Sequence, residues 1–277
     1  MTRTISTPIV RIRPLQGWVP IDFQALWSYR ELLYFLTWRE IKVRYKQTVL
    51  GFLWAIIQPL MMMIVFTLFF GTLAKVPSEG IPYPLFNYAA LLPWTLFAEG
   101  ITRSSLSMVR DVNLVQKIYF PRLVMPVAGI LSPLVDFCIA FTILIGMMFY
   151  YGYAPTVNLL WLPAFILLAL LTSLGVGLWL SAINVKYRDV RYAIPFLVQL
   201  WLFASPVVYA SSLLPERFQA LYGLNPMAGV IEGFRWALLG TEPPGSLIAV
   251  SVAIVVVVLI SGAFYFRRME KTFADVL

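Results

Sequence analysis

Three shortages limit the chemistry open to this chain of 277 residues. It contains no histidine, which removes the commonest metal ligand and proton shuttle. Its one cysteine, Cys138, can form neither an intrachain disulfide nor a thiolate metal cluster. Only 12% of its residues are charged, whereas soluble domains carry about 25%. We therefore expect no metal site, no catalytic residue and no ordinary soluble domain.

The missing charge leaves apolar runs of membrane length. Val49–Ala74 has 26 uncharged residues, Pro243–Phe266 has 24, and Phe137–Val185 has 49, enough for two crossings. An apolar helix of about 20 residues spans the roughly 30 Å bilayer core. We predict an all-α integral membrane protein with residues 1–48 before the membrane domain, 49–266 within it and 267–277 after it. The six predicted spans are Leu50–Ala74, Tyr83–Met108, Val124–Tyr151, Leu160–Ile183, Tyr192–Tyr209 and Leu247–Phe266.

Lysine and arginine fall on alternate sides of these spans. Of the 21 cations, 18 lie before span one, in the stretch from Arg103 near the end of span two to Arg122, between spans four and five, or after span six. The other three are Lys75, Arg217 and Arg235. Cytoplasmic loops carry an excess of Lys and Arg, so both termini should be cytoplasmic, with no signal peptide. The +8 net charge is explained in the same way, without a nucleic-acid partner.

The segment Gln24–Lys46 has the periodicity of an amphipathic helix. Such a helix lies in the membrane interface with its apolar side in lipid and its cations toward phosphates. It either anchors the chain or also meets a cytoplasmic partner with its basic face. The apolar side comprises Leu26, Tyr29, Leu32, Leu33, Leu36 and Val43, and the polar side comprises Glu31, Arg39, Lys42 and Lys46.

The predicted cytoplasmic segment Arg110–Arg122 is too short for a domain, yet it is rich in apolar side chains. Exposed apolar groups bordered by cations usually mark a docking surface. The alternative is a helix that folds back on its own protein. The apolar members are Leu114, Val115, Ile118, Tyr119 and Phe120.

On the opposite side, Ala210–Gly245 is too long for a simple turn and contains four prolines. Asn225-Pro226 predicts a helix start, and Gly240 its end. We expect either two short helices dipping into the outer leaflet or an amphipathic surface loop.

Several motifs, in order and spread over nearly the whole chain, resemble the permeases of type-2 ABC exporters that move O-antigen, capsule and teichoic-acid polymers. The first runs from Arg39 to Gly51 and continues with Trp54 and Gln58-Pro59. The others are Leu92-Pro93-Trp94, Asn113–Pro121, Asn184–Val190, and Asn225-Pro226-Met227 with Phe234-Arg235.

The resemblance implies that this chain forms the membrane part of a transporter and that a separate subunit hydrolyses ATP. Two copies of the permease pair with two copies of a separate ABC ATPase, and a lipid-linked polysaccharide crosses the bacterial inner membrane between them. ATP and Mg would then be bound by the ATPase, which agrees with the absence of a G-x-x-x-x-G-K-[ST] loop here. Two short periplasmic helices between spans five and six would gate the outer mouth. The implied coupling positions are Asn113, Leu114, Lys117, Ile118, Tyr119, Phe120 and Pro121, with a lesser contact from Lys186 and Arg188.

A polymer that slides needs many weak contacts, each on the order of 1 kcal/mol, from aromatic rings and hydrogen-bonding groups. The resemblance places the channel at the dimer interface, along spans one, two and five. The alternative for these aromatic residues is the ordinary interfacial belt of membrane proteins. The candidate lining residues are Trp54, Gln58, Trp94, Phe97, Glu99, Trp201, Ser205 and Tyr209.

Charges inside spans are costly and need an explanation. Glu99 and Arg103 are four residues apart and can pair on one helical face, although Glu99 could instead line the channel. Asp136 in span three has no cation nearby in the sequence, so it either bonds to another helix or is protonated.

Two rival functions remain at this point. The same fold could export teichoic acid, capsule or a small lipophilic compound. A proton-driven secondary transporter would need more intramembrane carboxylates and usually two related halves, which the sequence does not show.

Overall fold

Helices form nearly all the regular structure of this chain in a computed structural model that describes residues 23–46, 51–213 and 222–273. No strand occurs among the described residues. Residues 1–22, part of the predicted N-terminal region, and 214–221, part of the predicted gate, lie outside the described part. The α-helices are α1 Phe23–Ser28, α2 Arg30–Lys46, α3 Trp54–Phe66, α4 Tyr83–Arg110, α5 Val112–Lys117, α6 Val124–Leu131, α7 Leu134–Tyr150, α8 Leu162–Lys186, α9 Val190–Phe203, α10 Pro226–Leu239 and α11 Gly245–Glu270.

Within the described residues, four helical stretches are long and apolar enough to cross a membrane: Gly51–Leu73, Val124–Tyr150, Val157–Lys186 and Gly245–Glu270. They correspond to predicted spans one, three, four and six. The first is α3 extended by a 3-10 turn before it and a π-helical turn after it, and the second is α6 and α7 in succession.

Helices α4 and α9, at predicted spans two and five, do not meet both conditions of length and apolar composition. Helix α9 has 14 residues, which at 1.5 Å per residue is only about 21 Å. Helix α4 is long but more polar. The all-helical membrane fold is thus confirmed, and the count of six stays a prediction.

Helix α4 is the centre of the fold. It packs against α3, α6, α7, α8, α9 and α10, and every side chain from Leu85 to Leu92 is fully buried. A helix surrounded by protein can carry polar and charged side chains that a lipid-facing helix cannot, because neighbouring helices take the place of the lipid hydrocarbon around it. This position accounts for the lower apolar content that excludes α4 from the four stretches above.

Small residues allow α8 to approach both α4 and α11 closely. A Cβ atom added to Gly262 of α11 would lie 2.3 Å from the carbonyl oxygen of Gly175 in α8. A Cβ atom added to Gly177 would lie 2.5 Å from the hydroxyl of Ser104 in α4. Close backbone approach at small residues is a general means of packing membrane helices.

The predicted boundaries of α10 are confirmed, and its surroundings exclude one of the two expectations, while helices that dip into the outer leaflet stay a prediction. The Asn225 side chain accepts a hydrogen bond from the Met227 amide at 3.1 Å, and Gly240 ends the helix at φ 71°. Its side chains are buried apart from a partly exposed Trp236, and the helix packs against α4, α8 and α11. An amphipathic loop on the outer surface is therefore wrong for α10, which belongs to the protein core.

The placement of α2 also corrects a prediction. Its predicted apolar side, from Leu32 and Leu33 to buried Leu36, packs on the protein beside α6 rather than in lipid. The exposed side instead carries aromatic residues, including Tyr34 and Phe35, which are 70% and 63% exposed. Helical periodicity identifies an apolar face but does not distinguish protein from lipid as the partner that covers it.

Candidate functional site

The segment after α4 forms an exposed surface that combines aromatic, aliphatic and positively charged groups. Asp111 breaks the helix at φ −111° and ψ 42°, α5 follows, and Ile118 is extended. The exposed side chains include Asn113, Lys117, Ile118 and Tyr119, of which Ile118 is 56% and Tyr119 70% exposed. We call residues 113–119 the coupling segment.

Phe120 does not belong to this surface. It is 5% exposed and packs in the apolar cluster that includes Leu36, Val115 and Phe266. The prediction that Phe120 docks a partner is corrected by this burial, because its ring already fills the space between helices of its own chain. Leu114 and Pro121 are half-buried, so the accessible apolar area is centred on Ile118 and Tyr119.

The loop between α8 and α9 exposes a second group of cations and aromatic rings. Lys186, Tyr187 and Arg188 are exposed, and the Lys186 Nζ lies 5.2 Å from the centre of the Tyr187 ring. The Asn184 side chain donates a hydrogen bond of 3.0 Å to the Ser105 carbonyl of α4. The two loops therefore leave the helix bundle at the same end.

A network of ion pairs joins α2 to the end of α4 and to Asp111, just before the coupling segment. Arg39 pairs with Asp111, and Arg110 pairs with Glu40, a carboxylate that is 9% exposed. Arg103 lies 3.9 Å from Glu40 and also pairs with Glu99 at 3.0 Å. The predicted Glu99–Arg103 pair is confirmed.

The far end of α2 carries a second contact between helices. Arg44 pairs with Asp136, and the Tyr45 hydroxyl donates a hydrogen bond to the same carboxylate. Of the two possibilities left open for Asp136, bonding to another helix is the one found. Burial lowers the pKa of Arg44 from its ordinary value and the charge of Arg103 lowers it further, while Glu99 and Tyr45 raise it.

The remaining predicted interface cations are separate from this network. Lys42 is exposed with its Nζ 5.6 Å from the Trp38 ring, and Lys46 is exposed at the end of α2. Both side chains lie on α2, outside the coupling segment, and their predicted role at lipid phosphates stays a prediction.

The predicted channel residues divide into two groups. Trp54 is 52% exposed, Gln58 on the same helix is also exposed, and Glu99 is half-buried beside Arg103. Trp94 and Phe97 are buried. Burial of these two argues against contact with a polymer on the protomer surface, since their rings pack against each other at 5.3 Å.

The residues from predicted span five lie in hydrogen-bonded surroundings rather than on an open face. The half-buried Trp201 packs edge-on against the Phe97 ring at 5.0 Å and donates a hydrogen bond of 2.9 Å to Asn225. Asn225 also donates to the buried Ser205 hydroxyl at 2.9 Å. Tyr209 is half-buried and accepts a hydrogen bond of 3.0 Å from the Tyr222 hydroxyl.

Two residues that sequence reasoning did not place in a site have conspicuous environments. Glu40 is the acidic residue between Arg39 and Lys42, and its position inside this basic run could have indicated an interhelical pair. Arg235 was counted among the outer cations, but it is fully buried and donates hydrogen bonds to the Val207 carbonyl at 2.9 Å and the Tyr209 carbonyl at 3.3 Å. Arg235 thus joins α10 to the irregular chain after α9.

The described part of the chain combines four helical stretches of membrane length with an exposed segment at one end. Residues 31–239 match the family model described as ABC-2 type transporter. The chain belongs to this family.

The similar proteins match over almost their whole length. The O-antigen export system permease protein RfbA of Myxococcus xanthus is 31% identical over 260 residues, which is 91% of this chain and 97% of that protein. The O-antigen export system permease protein RfbA of Klebsiella pneumoniae is 28% identical over 89% of this chain and 95% of that protein. The polysialic acid transport protein KpsM of Escherichia coli is 23% identical over 84% and 91%.

Proposed function

We propose that this chain is the membrane permease subunit of an ATP-driven exporter that moves a lipid-linked polysaccharide, O-antigen in the first instance, across the bacterial inner membrane. Two similar proteins with O-antigen export in their names cover about nine-tenths of this chain. The family match over residues 31–239 includes the coupling segment, α10 and the first three of the four membrane-length stretches. The chain is a transport subunit and supplies no catalytic residue of its own.

Energy comes from a separate ABC ATPase, present in two copies, that binds ATP and Mg. The observation that carries this step is the exposure of Ile118 and Tyr119 beside Lys117 at the end of the bundle. Large apolar side chains in water cost free energy unless a partner covers them. The proposed ATPase contacts are Asn113, Leu114, Lys117, Ile118, Tyr119 and Pro121, with Lys186 and Arg188 at the edge.

The proposed topology has six crossings, with α4 and α9 as the second and fifth and both termini in the cytoplasm. The cation distribution supports this orientation, since the coupling segment and the loop after α8 both lie on the cation-rich side. Helix α9 is short, and the chain after it continues through turns to buried Ala210 before the 3-10 turn at Ser211. These turns are buried in protein, which is the condition under which non-helical backbone is tolerated at membrane depth.

Two copies of the chain pair to form the conduit. Span one is the least buried of the four apolar stretches, and it exposes Trp54, Met61 and Ile64. Helix α9 exposes Phe196 and Leu200. These faces are the proposed pairing surfaces, with Trp54, Gln58 and Glu99 as the remaining candidates for contact with the polymer.

The test of the proposed function has two parts. The tagged chain, purified from its native host in mild detergent, should bring down an ABC ATPase encoded elsewhere. Deletion of the gene should leave the host with lipid-linked glycan accumulated inside the inner membrane and depleted from the cell surface, and the intact gene should restore export. Normal surface glycan in the deletion strain would overturn the proposal.

Capsule polysaccharide is the second candidate cargo. It is favoured by the similarity to KpsM, whose name describes polysialic acid transport. Separation of the accumulated material into lipopolysaccharide-linked and capsule-type glycan distinguishes the two cargoes in the same deletion strain.

A further inference from the structure

Helix α2 meets Arg110 and Asp111, at the end of α4 just before the coupling segment, through two adjacent ion pairs of opposite polarity. Arg39 of α2 pairs with Asp111, and the next residue, Glu40, pairs with Arg110, which precedes Asp111 in the chain. Arg103 adds a second cation 3.9 Å from Glu40. The Glu40 carboxylate is therefore held by two arginines of α4 in a place where little water reaches it.

Apolar packing strengthens the same contact. Leu36, one turn before Glu40, lies in one cluster with Val115 of α5 and with Phe120 immediately after the coupling segment. Residues within and just after the coupling segment thus share one apolar cluster with α2. A displacement of this segment has to move α2, break the ion pairs, or deform the packed cluster.

The other end of α2 is attached to the membrane helices. Arg44 and Tyr45 both contact Asp136 in the first turn of α7. The first membrane-length stretch begins at Gly51, five positions after the end of α2 at Lys46. One helix therefore links the coupling segment to two of the apolar stretches.

We propose that Glu40 is a positioning residue, whose ion pairs with Arg110 and Arg103 keep α2 engaged with the coupling segment when that segment moves. This proposal rests on the proposed function, because it assumes an ATPase that displaces the coupling segment. Separation of a largely buried carboxylate from its cations leaves charges without partners, which is strongly unfavourable. Helix α2 therefore follows the segment when the ATPase moves it.

Charge reversal tests the contact in the assembled transporter, with its ATPase, in proteoliposomes. In Glu40→Arg and in Arg110→Glu, ATP hydrolysis should stay within about twofold of the wild type, while export per ATP falls about tenfold or more. The double variant restores a pair of opposite charges and should recover most of the lost export. Glu31→Arg is the matched control, since Glu31 is exposed on the same helix, and it should behave as the wild type.

A second readout does not depend on the cargo. In a Cys138→Ala background, a cysteine at exposed Ala74, just after span one, is labelled with and without ATP in transporters held in lipid nanodiscs, where the reagent and ATP reach both sides. ATP should change the labelling rate in the wild type and the double variant, but not in Glu40→Arg. If the wild type shows this change yet exports no polysaccharide, the proposed cargo fails and the role of α2 stands.

Covalent replacement of the ion pair covers the case in which a charge-reversal variant does not assemble. Arg39→Cys with Asp111→Cys should be uncoupled when reduced and should regain export per ATP when a short bifunctional thiol reagent joins the two positions. Full coupling in Glu40→Arg would overturn the proposal. The proposal would also be overturned if Glu40→Arg, Arg110→Glu and the double variant lost ATP hydrolysis and export equally. Loss of residual export when the two introduced cysteines are cross-linked would overturn it as well.

Discussion

Tyr119 and Phe120 are neighbours in the sequence with opposite environments, and this gives a sharp test of the coupling surface. Tyr119 is 70% exposed, whereas Phe120 is 5% exposed within an apolar cluster. We expect Tyr119→Ala to weaken binding of the ATPase without changing the stability of the permease. We expect Phe120→Ala to lower the stability of the permease itself.

The magnitudes follow from these environments. A central aromatic contact in an interface contributes about 2 kcal/mol or more, which corresponds to a loss of roughly 30-fold in affinity for the ATPase. Truncation of a buried phenylalanine costs about 3–5 kcal/mol of folding free energy because a cavity remains. Tyr119→Ala should therefore change the affinity for the ATPase and Phe120→Ala the stability of the permease, although both reduce export in cells.

Two assays on the same purified permease separate the effects. Titration of the labelled ATPase gives its Kd for the permease, and thermal unfolding followed by tryptophan fluorescence gives an apparent Tm. Gln116→Ala, at an exposed position in the same coupling segment, is the control for a substitution without loss of a large apolar contact. An unchanged Kd in Tyr119→Ala would refute the assignment of Ile118 and Tyr119 to the ATPase surface.

Three further predictions use other parts of the fold. In a cysteine-free background, a cysteine at Ser78 should react with an impermeant reagent added outside intact cells, whereas a cysteine at Asn113 should react only after the membrane is opened. The reverse pattern would contradict the orientation. Gly262→Ala should lower the Tm, since overpacking of a tight helix contact costs about 1–3 kcal/mol, whereas Gly146→Ala, which meets nothing within 4 Å, should leave the Tm unchanged. Trp94→Ala should lower expression and Tm, because loss of a buried tryptophan costs about 3–5 kcal/mol, while export per folded molecule stays normal. A graded export defect at normal Tm would instead show that Trp94 lines the channel.

Much of the architecture could be predicted because it depends on local sequence. Uncharged runs identified four membrane-length stretches, and Asn225-Pro226 with Gly240 identified the ends of α10. The Glu99–Arg103 pair was accessible for the same reason, since residues four apart lie on one helical face. Each of these features involves residues close together in the chain.

The candidate site was predictable only in part. The coupling segment was recognised from its apolar side chains between cations, but the pattern could not separate exposed Tyr119 from buried Phe120. Trp94 and Phe97 were assigned to the channel because aromatic rings suit both sugar stacking and helix packing. The sequence contains the same residue types in either case, and only their neighbours differ.

The sequence alone determined that this is an all-helical membrane protein with an asymmetric distribution of cations, since the apolar length and charge of each segment are local properties. The tertiary structure decided which faces meet. It placed the apolar side of α2 against protein, buried α10 with Arg235 in the core, and brought Glu40 to Arg110 and Arg44 to Asp136. Such contacts join residues distant in the chain, and their energy depends on burial and geometry that no single segment contains.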